Sequence, residues 1–171
     1  MNNNRLENFR SRAYTRTSPT TVESFKYHLM NGHINLNPDY QREYVWGYQE
    51  QQSFFNSLIH GLPVGTIAIA EYDTDSEMFM EAVDGKQRLT TLQLLFNDEI
   101  PICIDGVEYF WSNFSVVSQR FFRGLHLPTE LLLDTSRKTI LEYFYNVNFS
   151  GVPQSDEHKQ HIINMMENKN G

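Results

Sequence analysis

The chain predicts an α+β domain in which a small mixed or antiparallel sheet is flanked by helices and a helical segment occupies the C-terminal third. Three observations carry that class. Two strand-like runs, Thr66–Tyr72 and Glu77–Val83, are joined by the polar Asp73-Thr74-Asp75-Ser76 and read as an antiparallel hairpin. Longer segments repeat apolar residues at helical spacing between capping residues and glycines. Between the two patterns, Asp84-Gly85-Lys86-Gln87-Arg88 sits where an apolar strand gives way to a helix.

The elements follow in order. Ser18 before Pro19, with Glu23 three residues after Thr20, predicts a helix through Val22, Phe25 and Leu29 that stops at Gly32. A second begins near Tyr48, where Gln51, Phe54, Phe55, Leu58 and Ile59 form one core-facing stripe that ends at Gly61. The hairpin then feeds the turn at Asp84, and Leu89 to Phe96 repeats its leucines as a helix. Pro101–Ile104 and Val107–Trp111 flank Asp105-Gly106, a dipeptide suited to a two-residue hairpin turn. Beyond it β structure is expected to end: Leu131, Leu132, Ile140, Leu141, Phe144 and Val147 read as helical within Thr129–Asn148, and an amphipathic helix runs from Asp156 to about Glu167.

A chain of 171 residues suits one domain with a sizeable core, placed at 18–168 behind a flexible basic arm at 1–17. A hydrophobic content of 40% with 13% aromatic residues excludes a disordered chain, and no apolar run approaches the roughly 20 residues that span a bilayer. No signal-like segment opens the chain, and the lone Cys103 cannot form an internal disulfide, so a soluble protein of a reducing cytoplasm is expected. Cys103, between Ile102 and Ile104, reads as a small buried core residue.

The net charge of −7 excludes a surface that clings to nucleic acid throughout. The start is different: Arg5, Arg10, Arg12 and Arg16 face only Glu7 up to residue 16. That arm is either a solvated terminus or a contact for DNA, or for a nuclease or other partner protein. A homo-oligomer is left open. His158 and His161 stand at i,i+3 behind Glu157 but lack a third ligand, so no metal site is assigned and a solvated helix face is expected.

The turn at Gly85 carries the chemistry. Gly85 lets the backbone reverse, the first helical N–H groups then point outward unpaired, and Arg88 offers a planar fork of donors to a phosphate or carboxylate. The alternative is a structural turn in which Asp84 caps the helix while Lys86 and Arg88 are solvated. A second segment, Asn37-Pro38-Asp39-Tyr40-Gln41-Arg42-Glu43-Tyr44-Val45-Trp46, packs an arginine among aromatics in a loop. Tyr40 and Trp46 there are candidates either for stacking on a base or for anchoring the loop on the core.

Together these segments resemble the DGQQR-motif family, the ParB/sulfiredoxin-like domains found in the GmrS half of GmrSD-type modification-dependent restriction enzymes. The resemblance continues through Ser57-Leu58-Ile59-His60-Gly61-Leu62-Pro63-Val64-Gly65 and recurs in Asn148-Phe149-Ser150-Gly151-Val152-Pro153-Gln154-Ser155, spanning roughly 18 to 168. Two departures stand out. Lys86 occupies a position where the family usually has glutamine, and no stretch of these residues has the histidine and asparagine pattern of an HNH nuclease module.

The resemblance implies a stand-alone GmrS-like domain that binds and hydrolyses an NTP with Mg²⁺. Gly85, Lys86, Gln87, Arg88, Gln41, Arg42 and Asn148 would face the phosphates, with Asp84, Arg88 and Arg42 catalytic. It also implies that the C-terminal segment closes over the sheet and brings Asn148 and Gly151 to the phosphates. Two other readings stand beside it: a non-catalytic nucleotide-sensing or DNA-associated module that works through a partner, and a metal-dependent ParB-like DNA nuclease. Such an economical chain would suit a phage or mobile element.

Overall fold

The computed structural model describes residues 15–72, 76–133, 135–149 and 156–167. Most of the basic arm, the hairpin residues Asp73–Asp75, and Ser150–Ser155 with Gly151 lie outside them. In chain order the elements are β1 (Thr15–Thr17), β2 (Thr20–Thr21), α1 (Val22–Met30), β3 (Ile34–Asn35), α2 (Tyr48–Ile59), β4 (Ile67–Glu71), β5 (Met80–Asp84) and α3 (Lys86–Phe96). They continue with β6 (Ile102–Ile104), β7 (Val107–Tyr109), α4 (Val116–Gly124), β8 (His126–Leu127), β9 (Thr129–Leu132), α5 (Arg137–Phe149) and α6 (Asp156–Glu167).

The expected α+β class holds, and the main sheet is mixed. Its order is β1-β9-β4-β5-β3, with β4 antiparallel to β5, β9 parallel to β4, β3 parallel to β5 and β1 antiparallel to β9. Successive strand residues point to opposite faces, so Ile67 and Ile69 join one apolar core while Ala68 and Ala70 join the other. The first core takes Phe25, Phe54, Phe55, Leu89, Leu92 and Phe122 from helices α1 to α4, and the second takes Ile140, Leu141 and Phe144 from α5 with Ile162 from α6. β4 is buried on both sides, which is why Ile67-Ala68-Ile69-Ala70 is apolar without alternation.

Several local expectations need correction. β structure does not end after Tyr109: Thr129–Leu132 is a strand between β1 and β4, although its leucines suit a helix by spacing. Tertiary pairing decides it, with Leu132 in the α5 core and Leu131 packed against the other. The last three residues of the expected arm, Thr15–Thr17, form an edge strand on β9. The first helix starts at Val22, because Thr20 and Thr21 pair with β8 and the Thr21 hydroxyl accepts from the Ser24 N–H at 3.2 Å. Cys103 is partly exposed on β6. The Asp105-Gly106 turn is as expected, with φ of 51° and 79° joining β6 to β7.

Candidate functional site

β5 delivers the chain to the site through an irregularity. Ala68 pairs with Asp84 but the next residue, Ile69, pairs with Ala82, so Val83 is an extra residue bulged out of the ladder. The Gln41 side-chain amide donates to the carbonyls of both Ala82 and Val83, the latter at 3.1 Å. Gln41 thereby satisfies backbone acceptors at the bulge and pins the loop after β3 alongside β5.

Gly85 follows with φ of 96°, a left-handed conformation that a side chain resists, and a Cβ there would meet Ile67 Cγ1 at 3.0 Å. No side chain caps α3. Asp84 is occupied otherwise: its Oδ2 accepts from Arg88 Nη2 at 3.1 Å. The capping alternative for Asp84 therefore falls, and the first N–H groups of α3 lack a side-chain acceptor.

Arg88 is turned inward rather than presenting its fork. Nη1 donates to the Val64 carbonyl at 2.7 Å and Nη2 to the Thr66 carbonyl at 2.9 Å, besides the bond to Asp84. Its guanidinium lies against Gly65, where a Cβ would come within 2.3 Å of Nη1. Gln87 is likewise committed, accepting from the backbone N–H of Val45 at 2.9 Å and of Trp46 at 3.3 Å and donating to the Glu43 carbonyl at 3.1 Å. Arg88, Gln87 and Gln41 thus fasten three segments of chain together, because unpaired backbone groups from the bulge and the two loops converge on them.

The remaining cations are different. A cavity of about 270 Å³ is lined by Gln41, Arg42, Trp46, Val64, Phe144 and Asn148 together with all five residues from Asp84 to Arg88. Lys86, the first residue of α3, is only 5% exposed. It has no hydrogen-bond or ion-pair partner among the described residues. Arg42, exposed at the rim, also has none among them. With Asp84 neutralised by Arg88, the cavity holds an excess of positive charge inside an acidic protein. Such an arrangement favours a compact anion.

Asn148 reaches the same cavity from α5, its amide donating to the Phe144 carbonyl at 2.9 Å, so the C-terminal segment does close over the sheet. Tyr40 is not available to stack on a base. It is 1% exposed, donates to Glu81 at 2.6 Å and packs edge-on against Phe144, with the Arg137 guanidinium 4.9 Å from its ring. Burial, reinforced by the Glu81 carboxylate, pushes its phenol far above the ordinary range. Trp46 leans on Phe54 with ring centroids 5.8 Å apart and remains on the cavity wall. Sequence reasoning did not single out Val64 or Phe144 as wall residues; Val64 lay in the stretch that carried the resemblance, and Phe144 registered only as one apolar position of a helix. Among the described residues no three His, Cys, Asp or Glu side chains group as a metal site.

The family model of the GmrSD restriction endonuclease N-terminal domain matches residues 27–163. The chain belongs to that family. No curated protein and no solved structure matches the chain significantly. The match ties this GmrSD N-terminal domain to restriction systems, and its span includes every residue that lines the cavity. Among the described residues, no helix is long and apolar enough to cross a membrane.

Proposed function

We propose that this chain binds the phosphates of a nucleoside triphosphate in the cavity at the start of α3. The observation that carries the reading is Lys86, whose side chain is packed at 5% exposure while its ammonium, unpaired among the described residues, keeps contact with the solvent of the cavity it lines. Cationic donors converge on one wall of this cavity, and a phosphate held by Lys86, Arg42 and the first N–H groups of α3 would supply the counter-charge that they lack. Arg88 serves here by holding Asp84 and the Val64–Thr66 loop in place, while Gln41 and Gln87 position the loop that carries Arg42.

Hydrolysis is the second part of the proposal and rests on Asp84. Its Oδ2 is tied to Arg88, and its other oxygen has no partner among the described residues. Water attack on the γ-phosphorus would break the bond to the bridging oxygen, Asp84 orienting the water and Arg42 and Lys86 offsetting charge on the phosphoryl oxygens. One carboxylate beside phosphate oxygens is also a donor set that suits Mg²⁺, which would neutralise phosphate charge when bound. The arginines at the start of the chain are proposed to meet DNA or a nuclease partner, so that nucleotide binding is coupled to restriction.

Thermal unfolding with a panel of nucleoside triphosphates, with and without Mg²⁺, tests the binding step, because a ligand specific for the folded state raises its stability by mass action. The parent should be stabilised and Lys86→Met should not. Equal shifts in both proteins would reject the cavity.

A further inference from the structure

At about 270 Å³ the Lys86 cavity is small for a whole nucleoside triphosphate, since pockets that enclose such ligands commonly measure roughly 300–1,000 Å³. A second space of about 400 Å³ adjoins it and shares Trp46 and Val64 as wall residues. This groove runs along α2. Gln49, Ser53 and Ser57 recur there every four residues, so they share one helix face, and Phe54 and Pro63 complete an apolar lining. An indole at the junction, apolar walls and a row of amide and hydroxyl groups are what a planar heterocycle with a polar edge requires.

We infer that the groove between Trp46 and the Gln49–Ser53–Ser57 face of α2 is the subsite for the nucleobase, stacked on Trp46 while its phosphates occupy the Lys86 cavity. The inference rests on the phosphate reading above and extends it to the other end of the ligand. Trp46 is held for this task by two independent supports: its backbone N–H donates to Gln87 and its ring lies against buried Phe54. Tyr40, buried elsewhere, takes no part. Glu50, which also lines the groove, accepts from the Gly47 N–H at 3.0 Å, and that bond fixes the start of α2 below Trp46.

Calorimetry with inorganic tripolyphosphate and with the four common ribonucleoside triphosphates separates the two subsites. In the parent at least one nucleotide should bind about tenfold or more tighter than tripolyphosphate, the size of effect that stacking on an aromatic side chain commonly gives. Ser53→Phe fills the groove from an exposed position on α2. It should remove that advantage and leave tripolyphosphate binding as in the parent, and Trp46→Ala should also remove it. A nucleotide advantage that survives Ser53→Phe, or no advantage in the parent, overturns the base subsite and leaves the phosphate reading standing. A parent that binds neither tripolyphosphate nor nucleotide overturns both.

Discussion

Arg88→Ala distinguishes a clamp from a ligand donor. The motif alone suggests that truncating this arginine abolishes nucleotide binding and leaves the fold intact. The structure leads to the opposite expectation, because the side chain is 13% exposed and its donors reach two backbone carbonyls and a carboxylate at 2.7, 2.9 and 3.1 Å. Hydrogen bonds to charged groups contribute about 1.5–3 kcal/mol each, and such contributions overlap rather than add. Removing one partner of a buried pair commonly costs about 3–5 kcal/mol, and that range is expected here. With a urea slope of about 2 kcal/mol/M, the unfolding midpoint should fall by roughly 1.5–2.5 M. Circular dichroism through a urea series measures it, and tripolyphosphate titration of the folded fraction gives the second readout. A variant that loses less than about 1 kcal/mol yet no longer binds the anion would show that Arg88 serves the ligand and refute the clamp.

Gly85→Ala should lower the thermal midpoint, since φ of 96° disfavours any side chain and the new Cβ would press on Ile67 at 3.0 Å; about 1–3 kcal/mol is expected, and an unchanged midpoint would contradict the geometry. Phe54→Ala removes a 5% exposed ring from the α2 core and should cost about 3–5 kcal/mol in chemical denaturation, lowering stability in nucleotide-free protein too. His28 should make the fold acid-sensitive. Burial and then the neighbouring His33, with Nδ1 atoms 3.2 Å apart, lower its pKa from 6.5 against an opposing pull from Glu71. The unfolded chain therefore takes up the proton first, and stability present above pH 6.5 should decline as the pH falls below it. His28→Gln should flatten urea midpoints measured between pH 7.5 and 5.5.

What the sequence reveals and conceals follows from the range of the interactions. α2, α3 and the β4–β5 hairpin announce themselves because their signals are local: one apolar stripe, one run of leucines, one pair of strands with a polar connection. β9 does not, since its partners lie at Thr15–Thr17 and Ile67–Ala70 and nothing within Thr129–Leu132 names them. α4 escaped for another reason. Val116, Val117 and Phe121 are exposed and only Phe122 is buried, so its apolar residues trace no core-facing stripe. At the site, the place was legible and the directions were not. Asp84 to Arg88 marks a turn, but the carbonyls that draw Arg88 inward belong to Val64 and Thr66, which only the folded hairpin brings beside it.

The same directions explain why one residue of the turn dominates its proposed chemistry. Asp84, Gln87 and Arg88 satisfy one another or nearby backbone groups, so they give the cavity its shape and contribute little unbalanced charge. Lys86 does neither. Its stem is packed while its ammonium reaches the cavity without a counter-charge, so an anion that enters would gain a charge-assisted partner there and stabilise the folded protein by mass action. An apolar side chain of similar length should therefore leave the empty fold near the parent's stability and weaken the filled one. A glutamine, the residue the resemblance places there, would retain a donor without the charge and give an intermediate affinity. On the proposed reading the cation at Lys86 would act on the ligand, while the bonds of Arg88 and Gln87 hold the surrounding turn in place with or without one.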